Sequence, residues 1–357
     1  MKKKILISTG GTGGHVIPAS VFYDHLKNDF DVFLSSDERG VKFLNIDKEQ
    51  IKIINTPKLQ NKILLLPFNI LSIIFLTFKS IFFLRKKNID ILISTGGYMS
   101  LPLCFAAKFL KIKIFLFEPN MTMGRANIFF IKLSKKIFCY ANNIKNFPKK
   151  YLGKIVVIGP LLRKKFYSVK LNEKEILKEI KLLIIGGSQG AKFFDHEIKN
   201  SILQLTNKYN LKVYQQSNKE NYQILKSFYD SNNINCKLFS YDNNILEFLK
   251  DSNLCITRAG ASTIAELTFI NIPYLAIPYP YAKDNHQYEN ALFYKNKDCC
   301  WLLDQNSITS DILSKKLIQI IENREDYLKK KKNMENFSYQ NSWNKVNEKI
   351  IRTLNEN

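Results

Sequence analysis

Acidic residues are scarce in this sequence of 357 residues, which has 31 Asp and Glu against 54 Lys and Arg and a formal net charge of +23. Proteins that read nucleic acids at such a charge usually cluster arginine with aromatic residues. No such cluster occurs here, so we expect no nucleic-acid partner. A positive surface is better suited to an anionic membrane or an anionic substrate.

Paired cysteines are also lacking, because none of the six follows a Cys-x-x-Cys pattern and several lie within apolar runs. This spacing argues against a zinc site or a disulfide framework and predicts a reducing cytoplasm. The basic start, residues 1–4, runs directly into a predicted strand, so we expect no signal peptide. The length predicts two domains, each large enough to bury its own core.

Two common nucleotide-binding motifs are missing from the first glycine loop. The stretch from Lys4 to Leu26 predicts a buried strand, a glycine loop and a helix. The loop has no Gly-Lys-Ser/Thr, and Val16 stands where G-x-G-x-x-G needs its third glycine. Asp37, near the end of the next strand, leaves a dinucleotide site as a second interpretation. The glycines around Thr12 place backbone N–H groups at the helix N-terminus, which favours phosphate; the remaining alternative is a tight turn that binds nothing.

His15 follows these glycines at the predicted start of the helix. The helix dipole disfavours the imidazolium form there, so the ring should remain neutral and able to accept a proton. This property suits a general base. The alternative is a histidine that only caps the helix or packs against the loop.

A long apolar stretch lies between Lys62 and Lys87. Its length would suffice to cross a bilayer, but a proline and several polar residues interrupt it. We therefore predict an apolar helix that packs on the sheet and partly enters an anionic membrane surface through residues 62–87, with Ile73, Phe75 and Phe82 toward lipid. The alternative is a wholly internal core helix.

The opening pattern of strand, glycine loop and helix returns at residues 181–190. This recurrence predicts an α/β protein with two doubly wound, Rossmann-like domains that face each other across a cleft. We place the first domain at 1–160, the second at 161–340, and a C-terminal helix at 341–357 that returns to the first. Polar residues at strand ends, such as Glu118, should converge on one crevice; they could equally be helix caps.

The second half contains two further candidate segments. Residues 258–266 follow a predicted strand, and Gly260 to Thr263 could present N–H groups to a diphosphate while Glu266 accepts the hydroxyls of a ribose. The alternative is a capping box, because Thr263 and Glu266 have its spacing. Residues 278–290 carry amides, a histidine and an acid, which suit sugar hydroxyls.

Six motifs together resemble those of one family in order and spacing. They are Gly10-Gly-Thr-Gly-Gly-His15, Gly96-Gly-Tyr98, Glu118-Pro-Asn120, Gly186-Gly-Ser-Gln-Gly-Ala191, Arg258-Ala-Gly-Ala-Ser-Thr-Ile-Ala-Glu266 and Asp284-Asn-His-Gln-Tyr288. The family is that of the undecaprenyldiphospho-muramoylpentapeptide N-acetylglucosaminyltransferases (the MurG family), which have the two-domain GT-B fold. The resemblance extends over nearly the whole chain.

The resemblance implies a hexosyltransferase that moves N-acetylglucosamine from UDP-N-acetylglucosamine to the 4-hydroxyl of the muramoyl sugar of lipid I, with inversion, giving lipid II. It implies a role in peptidoglycan and cell-wall synthesis, and hence in cell shape and division. It also implies a peripheral protein on the cytoplasmic side of the cell inner membrane, where other cell-wall synthesis proteins could be partners.

The resemblance also assigns residues. His15 would be the base, with Glu118 as the alternative base, and Tyr98 and Glu118 would lie near the acceptor. The donor would contact Thr12, Gly13, Gly14, Asn120, Arg163, Ser188, Tyr241, Ala261, Ser262, Thr263, Ile264, Ala265, Glu266 and Gln287. No cofactor is implied, and we expect no tightly bound metal because positive groups and helix N-termini can stabilise the leaving UDP.

The sequence departs from the family pattern at several positions. Pro119 stands where glutamine is usual, His286 replaces the first glutamine of a pair, Leu101 replaces the glycine before Pro102, and residues 159–163 differ. We expect these departures to alter substrate contacts more than the reaction. The alternatives are a UDP-N-acetylglucosamine epimerase of the same fold, which needs no membrane surface, and a non-catalytic nucleotide-sugar-binding protein, which does not need His15.

Overall fold

The computed structural model describes residues 2–57, 66–169, 179–187, 192–240 and 245–356. The chain divides into two compact units, Met1–Tyr167 with Asn341–Asn357, and Ser168–Gln340. Each unit is built on its own parallel sheet. The doubly wound α/β fold predicted from the sequence is thereby confirmed.

Unit 1 contains a seven-stranded parallel sheet in the order β3-β2-β1-β4-β5-β6-β7. The central strands read as continuous apolar runs because helices cover both faces of such a sheet; Ile5, Leu6 and Ile7 are wholly buried. The chain order reverses beside β1, where β4 pairs on the opposite side from β2. The strands are β1 Lys4–Ser8, β2 Asp31–Ser36, β3 Ile51–Ile53, β4 Ile91–Ser94, β5 Lys113–Glu118, β6 Lys136–Cys139 and β7 Ile155–Val157.

The helices of unit 1 include both ends of the chain. They are α1 Gly13–Leu26, α2 Glu38–Val41, α3 Leu66–Lys87, α4 Leu101–Phe109, α5 Arg125–Phe130, α6 Lys164–Tyr167 and, at the end of the chain, α14 Trp343–Glu356. Helix α14 packs on α1, where Trp343 stacks on His25 and Val346, Ile350 and Leu354 are buried. The side-chain amide of Asn341 donates to the carbonyl of Pro160 (3.1 Å). This bond links the chain just before α14 to the segment between β7 and α6.

Unit 2 contains a six-stranded parallel sheet in the order β10-β9-β8-β11-β12-β13, and its order also reverses, between β8 and β11. Its strands are β8 Ile180–Ile185, β9 Leu211–Gln216, β10 Asn235–Phe239, β11 Leu254–Thr257, β12 Tyr274–Ala276 and β13 Trp301–Leu302. Its helices are α7 Lys192–Thr206, α8 Tyr222–Ser231, α9 Ile245–Asp251, α10 Ala261–Phe269, α11 His286–Asn296, α12 Ser310–Glu322 and α13 Arg324–Ser338.

Helix α3 is long and apolar but mostly exposed. Within the described residues it is the one helix long and apolar enough to cross a membrane. Only Ile73, Ser80, Ile81 and Leu84 are buried, whereas Phe68 and Phe82 are each 71% exposed and Phe75 is 57% exposed. The alternative of a wholly internal core helix is therefore wrong. The prediction that Ile73 faces lipid is also wrong, because Ile73 lies on the face that packs inward.

Candidate active site

Most of the sequence-predicted residues of unit 1 lie at the carboxyl edge of its sheet. The first glycine loop follows β1, the second follows β4, and Glu118 ends β5, with Asn120 in the loop after it. These three strands are neighbours in the sheet. Ligands of doubly wound sheets bind outside the carboxyl ends of the strands, at the point where the strand order reverses.

The first glycine loop presents backbone donors at the start of α1. Gly11 has φ 86°, which favours glycine, and Thr12 is the N-cap residue. Among the described residues no partner is found for the N–H groups of Thr12, Gly13 and Gly14. The N–H of Gly11, however, donates to Asp37 Oδ1 (2.8 Å). Three backbone donors therefore remain for an anion, fewer than the four glycines suggested.

Asp37 is engaged by the protein itself. Its Oδ1 also accepts from the N–H of Gly40 (2.9 Å) as the N-cap of α2, and its Oδ2 accepts from Arg39 Nε (2.9 Å). Burial acts to raise the pKa of Asp37, but the hydrogen bonds from Gly11, Arg39 and Gly40 outweigh it and hold the pKa below its usual value. An oxygen pair used in this way does not suit a ribose diol, so the dinucleotide interpretation loses its acidic residue.

His15 is half-buried in the first turn of α1, and its Nδ1 lies 2.9 Å from the carbonyl oxygen of Thr95. A carbonyl can only accept, so Nδ1 of the neutral ring carries the hydrogen and Nε2 holds the lone pair. A Cβ placed on Gly97 would lie 3.9 Å from Nε2, which locates this nitrogen beside the second glycine loop. The ring orientation is that of a base whose Nε2 can accept a proton.

Glu118 is buried, and its carboxylate accepts four hydrogen bonds from the loop that follows β5 and from α5. Oε1 accepts from the backbone N–H of Asn120 (3.2 Å) and from its side-chain amide (2.9 Å), and Oε2 accepts from the N–H of Gly124 (2.8 Å) and from Asn127 Nδ2 (3.0 Å). An ionised carboxylate has about four acceptor sites. Taking a proton would break one of these bonds, so the geometry favours His15 over Glu118 as the base.

In unit 2 the donor candidates gather at the start of α10, directly after β11. The helix begins at Ala261 with Gly260 as its N-cap residue, so the N–H groups of Ala261, Ser262 and Thr263 lie in the first turn. The alternative that Thr263 and Glu266 form a capping box is wrong, because Thr263 is already inside the helix and cannot be its N-cap residue. Ser262 Oγ is buried without a partner among the described residues, and Glu266 is 9% exposed.

Two residues of the predicted donor run point into the protein. The side chains of Ile264 and Ala265 are buried, and the N–H of Ile264 already donates to the carbonyl of Gly260 (3.1 Å). Gln287, in the first turn of α11, accepts through Oε1 from the N–H of Tyr279 (3.0 Å). Asp284 and Asn285 precede it with φ 52° and 54°, a strained pair that sets the start of α11.

The remaining predicted donor residues are Arg163, Ser188 and Tyr241. Arg163 lies in unit 1 just before α6, with its guanidinium 4.9 Å from the ring centre of Phe166. Ser188 and Tyr241 lie outside the described residues. The flanking Lys62 of the apolar stretch is also outside them.

Arg258, at the end of β11, is a buried cation whose role the sequence does not reveal. Nη1 donates to the carbonyls of Ile277 (3.0 Å) and Pro278 (3.2 Å), and Nη2 donates to Gln305 Oε1 (2.6 Å). Burial lowers the pKa of Arg258 to about 10, so the group stays charged near neutral pH. In the sequence, only the motif at residues 258–266 points to Arg258 as a site residue. Its hydrogen-bond partners could not be predicted, because they are 19 to 47 residues away.

No group of three metal-ligating His, Cys, Asp or Glu side chains occurs in the described part of the chain. Two carboxylates spaced as Asp-x-Asp could together bind a metal ion, and residues 29–31 have this spacing. They lie at the start of β2, however, away from the carboxyl edge of the sheet where the candidate site residues lie. The expectation of a metal-independent site stays a prediction.

The two units correspond to two matched family models. Residues 5–139 match the glycosyltransferase family 28 N-terminal domain, and residues 181–345 match its C-terminal domain. In fold the chain is similar to the crystal structure of Acinetobacter baumannii MurG, with a TM-score of 0.78 and 21% identity over 99% of this chain and 100% of that one. These matches define a two-domain α/β glycosyltransferase of the GT-B class.

A sequence relative narrows this class. The chain is 56% identical, over the full length of both, to the UDP-N-acetylglucosamine--N-acetylmuramyl-(pentapeptide) pyrophosphoryl-undecaprenol N-acetylglucosamine transferase of Pelagibacter ubique (strain HTCC1062). The chain therefore belongs to this family of N-acetylglucosaminyltransferases, within glycosyltransferase family 28. A UDP-GlcNAc 2-epimerase from Neisseria meningitidis, with a TM-score of 0.66 and 16% identity over 99% of this chain and 100% of that one, shares the fold alone.

Proposed function

We propose that this chain transfers N-acetylglucosamine from UDP-N-acetylglucosamine to the muramoyl 4-hydroxyl of lipid I, forming lipid II with inversion at the anomeric carbon. The observation that carries the proposal is the identity of 56% over all 357 residues to a relative named for this transfer. The function is a step in peptidoglycan synthesis.

The proposed roles of the residues follow from the geometry of each unit. His15 Nε2 takes the proton of the attacking hydroxyl, because Nδ1 is held by the carbonyl of Thr95. The N–H groups at the start of α10 bind the donor diphosphate, since a helix N-terminus favours negative charge. Glu266 accepts from the ribose hydroxyls. Such fixed donors can stabilise the charge that develops on the leaving UDP.

We also propose that α3 places the protein on the cytoplasmic side of the inner membrane. Its exposed phenylalanines supply apolar area, and burying each would contribute about 1.5 to 3 kcal/mol. Arg85, Lys86 and Lys87 at its C-terminal end suit anionic headgroups, each adding about 1 kcal/mol near the surface. Lys79 Nζ lies 4.4 Å from the ring centre of Phe75, so its stem can follow the apolar face while the charge reaches water.

Release of UDP from UDP-N-acetylglucosamine, measured with and without a lipid I analogue, tests the reaction. The transferase should release UDP only when the acceptor is present, and in equal amount to the glycosylated product. An epimerase would instead form a second UDP-sugar without any acceptor. A non-catalytic binding protein would bind the donor and release no UDP.

A further inference from the structure

Three hydrogen bonds in series join the two glycine loops of unit 1 through Asp37 and Arg39, and a fourth ties Asp37 to α2. The carboxylate of Asp37 accepts from Gly11 in the first loop and from Gly40 in α2, and its second oxygen accepts from Arg39 Nε. Arg39 Nη2 then donates to Tyr98 Oη (2.6 Å), which lies directly after the second loop. Arg39 thus connects the backbone of the first glycine loop, through Asp37, to the side chain of Tyr98 after the second glycine loop.

The direction of the last bond fixes the chemistry of Tyr98. Arginine carries only donors, so Tyr98 Oη must accept from Arg39, and its phenolic hydrogen is left to donate elsewhere. Gly96 and Gly97, just before Tyr98, have φ 85° and 77°, and Gly97 lies beside His15 Nε2. The hydroxyl is therefore held as a hydrogen-bond donor on a loop that borders the proposed base.

The arrangement contributes little to stability. The side chain of Arg39 is 63% exposed, whereas that of Asp37 is 5% exposed, and an ion pair with an exposed partner typically stabilises a fold little. Asp37 caps α2 and holds Gly11 without help from Arg39. The bond from Arg39 to Tyr98 has its main consequence for the orientation of the phenol.

We propose that Arg39 is a positioning residue that holds the Tyr98 hydroxyl as a donor toward an oxygen of the acceptor substrate. The proposal rests on the proposed transfer to lipid I. It predicts that Arg39 acts through Tyr98 and on the acceptor alone, because neither residue belongs to the proposed donor site.

A double-mutant cycle with Arg39→Met, Tyr98→Phe and the double variant tests this role, using kcat and KM for a lipid I analogue and for UDP-N-acetylglucosamine. Losing one hydrogen bond should raise the acceptor KM about 3- to 10-fold in each single variant, with the donor KM unchanged. The double variant should be no worse than Tyr98→Phe, since residues that act as one unit are not additive. Arg352→Met, which removes an exposed arginine paired with Glu356 on α14, is the matched control and should behave as wild type.

Effects that multiply in the double variant, or donor and acceptor constants that change together, would overturn the positioning role. If Arg39→Met melts at a lower temperature than wild type, Arg39→Lys takes its place in the test. Lysine keeps a charge beside Asp37 but lacks the planar fork of arginine. A normal melting temperature with a raised acceptor KM supports the proposal, and a normal KM refutes it. A wild-type protein that glycosylates no lipid I analogue would refute the proposed function itself, before any variant is compared.

Discussion

The imidazole of His25 stacks on the indole of Trp343, with ring centroids 3.6 Å apart and planes inclined by 16°. His25 lies in α1 near the start of the chain and Trp343 begins α14 near its end, so this contact fastens the C-terminal helix to unit 1. Nδ1 of His25 also lies 3.1 Å from Oδ1 of Asn347, which is in α14 like Trp343. Nε2 is buried without a partner among the described residues.

This contact makes the stability of unit 1 depend on pH. Burial lowers the pKa of His25 from 6.5 to about 4, against the opposing effects of Asn347 and Asp24. The unfolded chain therefore binds a proton before the folded one does, so stability should fall as the pH drops from 6.5 toward 4. Between pH 7 and pH 5 the free energy of unfolding should decrease by about 2 kcal/mol from this group.

Urea unfolding at both pH values measures this loss, with tryptophan fluorescence as the signal. His25→Gln has no titrating ring and serves as the control, because its stability should change less between the two pH values. An equal change in wild type and variant would show that other groups cause the pH dependence.

Several parts of the fold could be predicted from local sequence. Apolar runs such as Ile5–Ile7 mark parallel strands because helices cover both faces, and the glycine loops that follow them mark the carboxyl edge. The contacts of Asp37 with Gly11 and of His15 with Thr95 could not be predicted, since they join residues 26 and 80 positions apart.

Local spacing can also mislead about where a helix begins. Thr263 and Glu266 are three positions apart, as in a capping box, and this spacing alone would make Thr263 the N-cap residue. In the structure Gly260 is the N-cap residue of α10, so both side chains lie within the helix. The start of α10 depends on where β11 ends, which the spacing of two residues does not encode.

The exposed face of α3 shows a different limit of the sequence. Its residues are apolar nearly all round, so the pattern does not indicate which face packs on the protein, and the prediction for Ile73 is wrong for this reason. The packing of α3 against α4, and not the sequence pattern, shows which face is buried.

Replacing His15 tests its role as the base. His15→Ala should lower the transfer rate by about 10²- to 10⁴-fold, the usual contribution of a general base. Binding of UDP-N-acetylglucosamine should barely change, because the backbone N–H groups of the loop survive the substitution. Single-turnover rates and calorimetric titration separate the two effects. A variant with near-normal kcat, or equal losses of affinity and rate, would assign His15 a structural or binding role.

Replacing Glu266 tests the donor site. Loss of hydrogen bonds to its charged carboxylate should cost about 1.5 to 3 kcal/mol, so Glu266→Ala should weaken UDP binding about ten- to a hundredfold. Glu247→Ala removes an exposed acid from α9 in the same unit and is the control. Calorimetric titration with UDP beside a melting curve gives the answer. A lower melting temperature with unchanged UDP affinity would make Glu266 a structural residue.

The membrane proposal is tested by removing the exposed phenylalanines of α3. Phe68→Ser, Phe75→Ser and Phe82→Ser together should release the protein from anionic liposomes while UDP binding is retained, because all three side chains are exposed. Binding of wild type should weaken with salt, since the basic residues act through screened charges. Ile73→Ser is the contrasting variant and should lower stability, because Ile73 is buried. Retention of the triple variant on liposomes would show that α3 is not the membrane surface.

The configuration of the new glycosidic bond tests the central claim most directly. UDP-N-acetylglucosamine carries its sugar in the α configuration, so an inverting displacement with His15 as base must give a β bond. Transfer from a donor labelled with ¹³C at the anomeric carbon to a lipid I analogue can be followed by NMR. We predict a single β-linked product on the muramoyl 4-hydroxyl. An α-linked product, or label found only in a second UDP-sugar, would contradict the account.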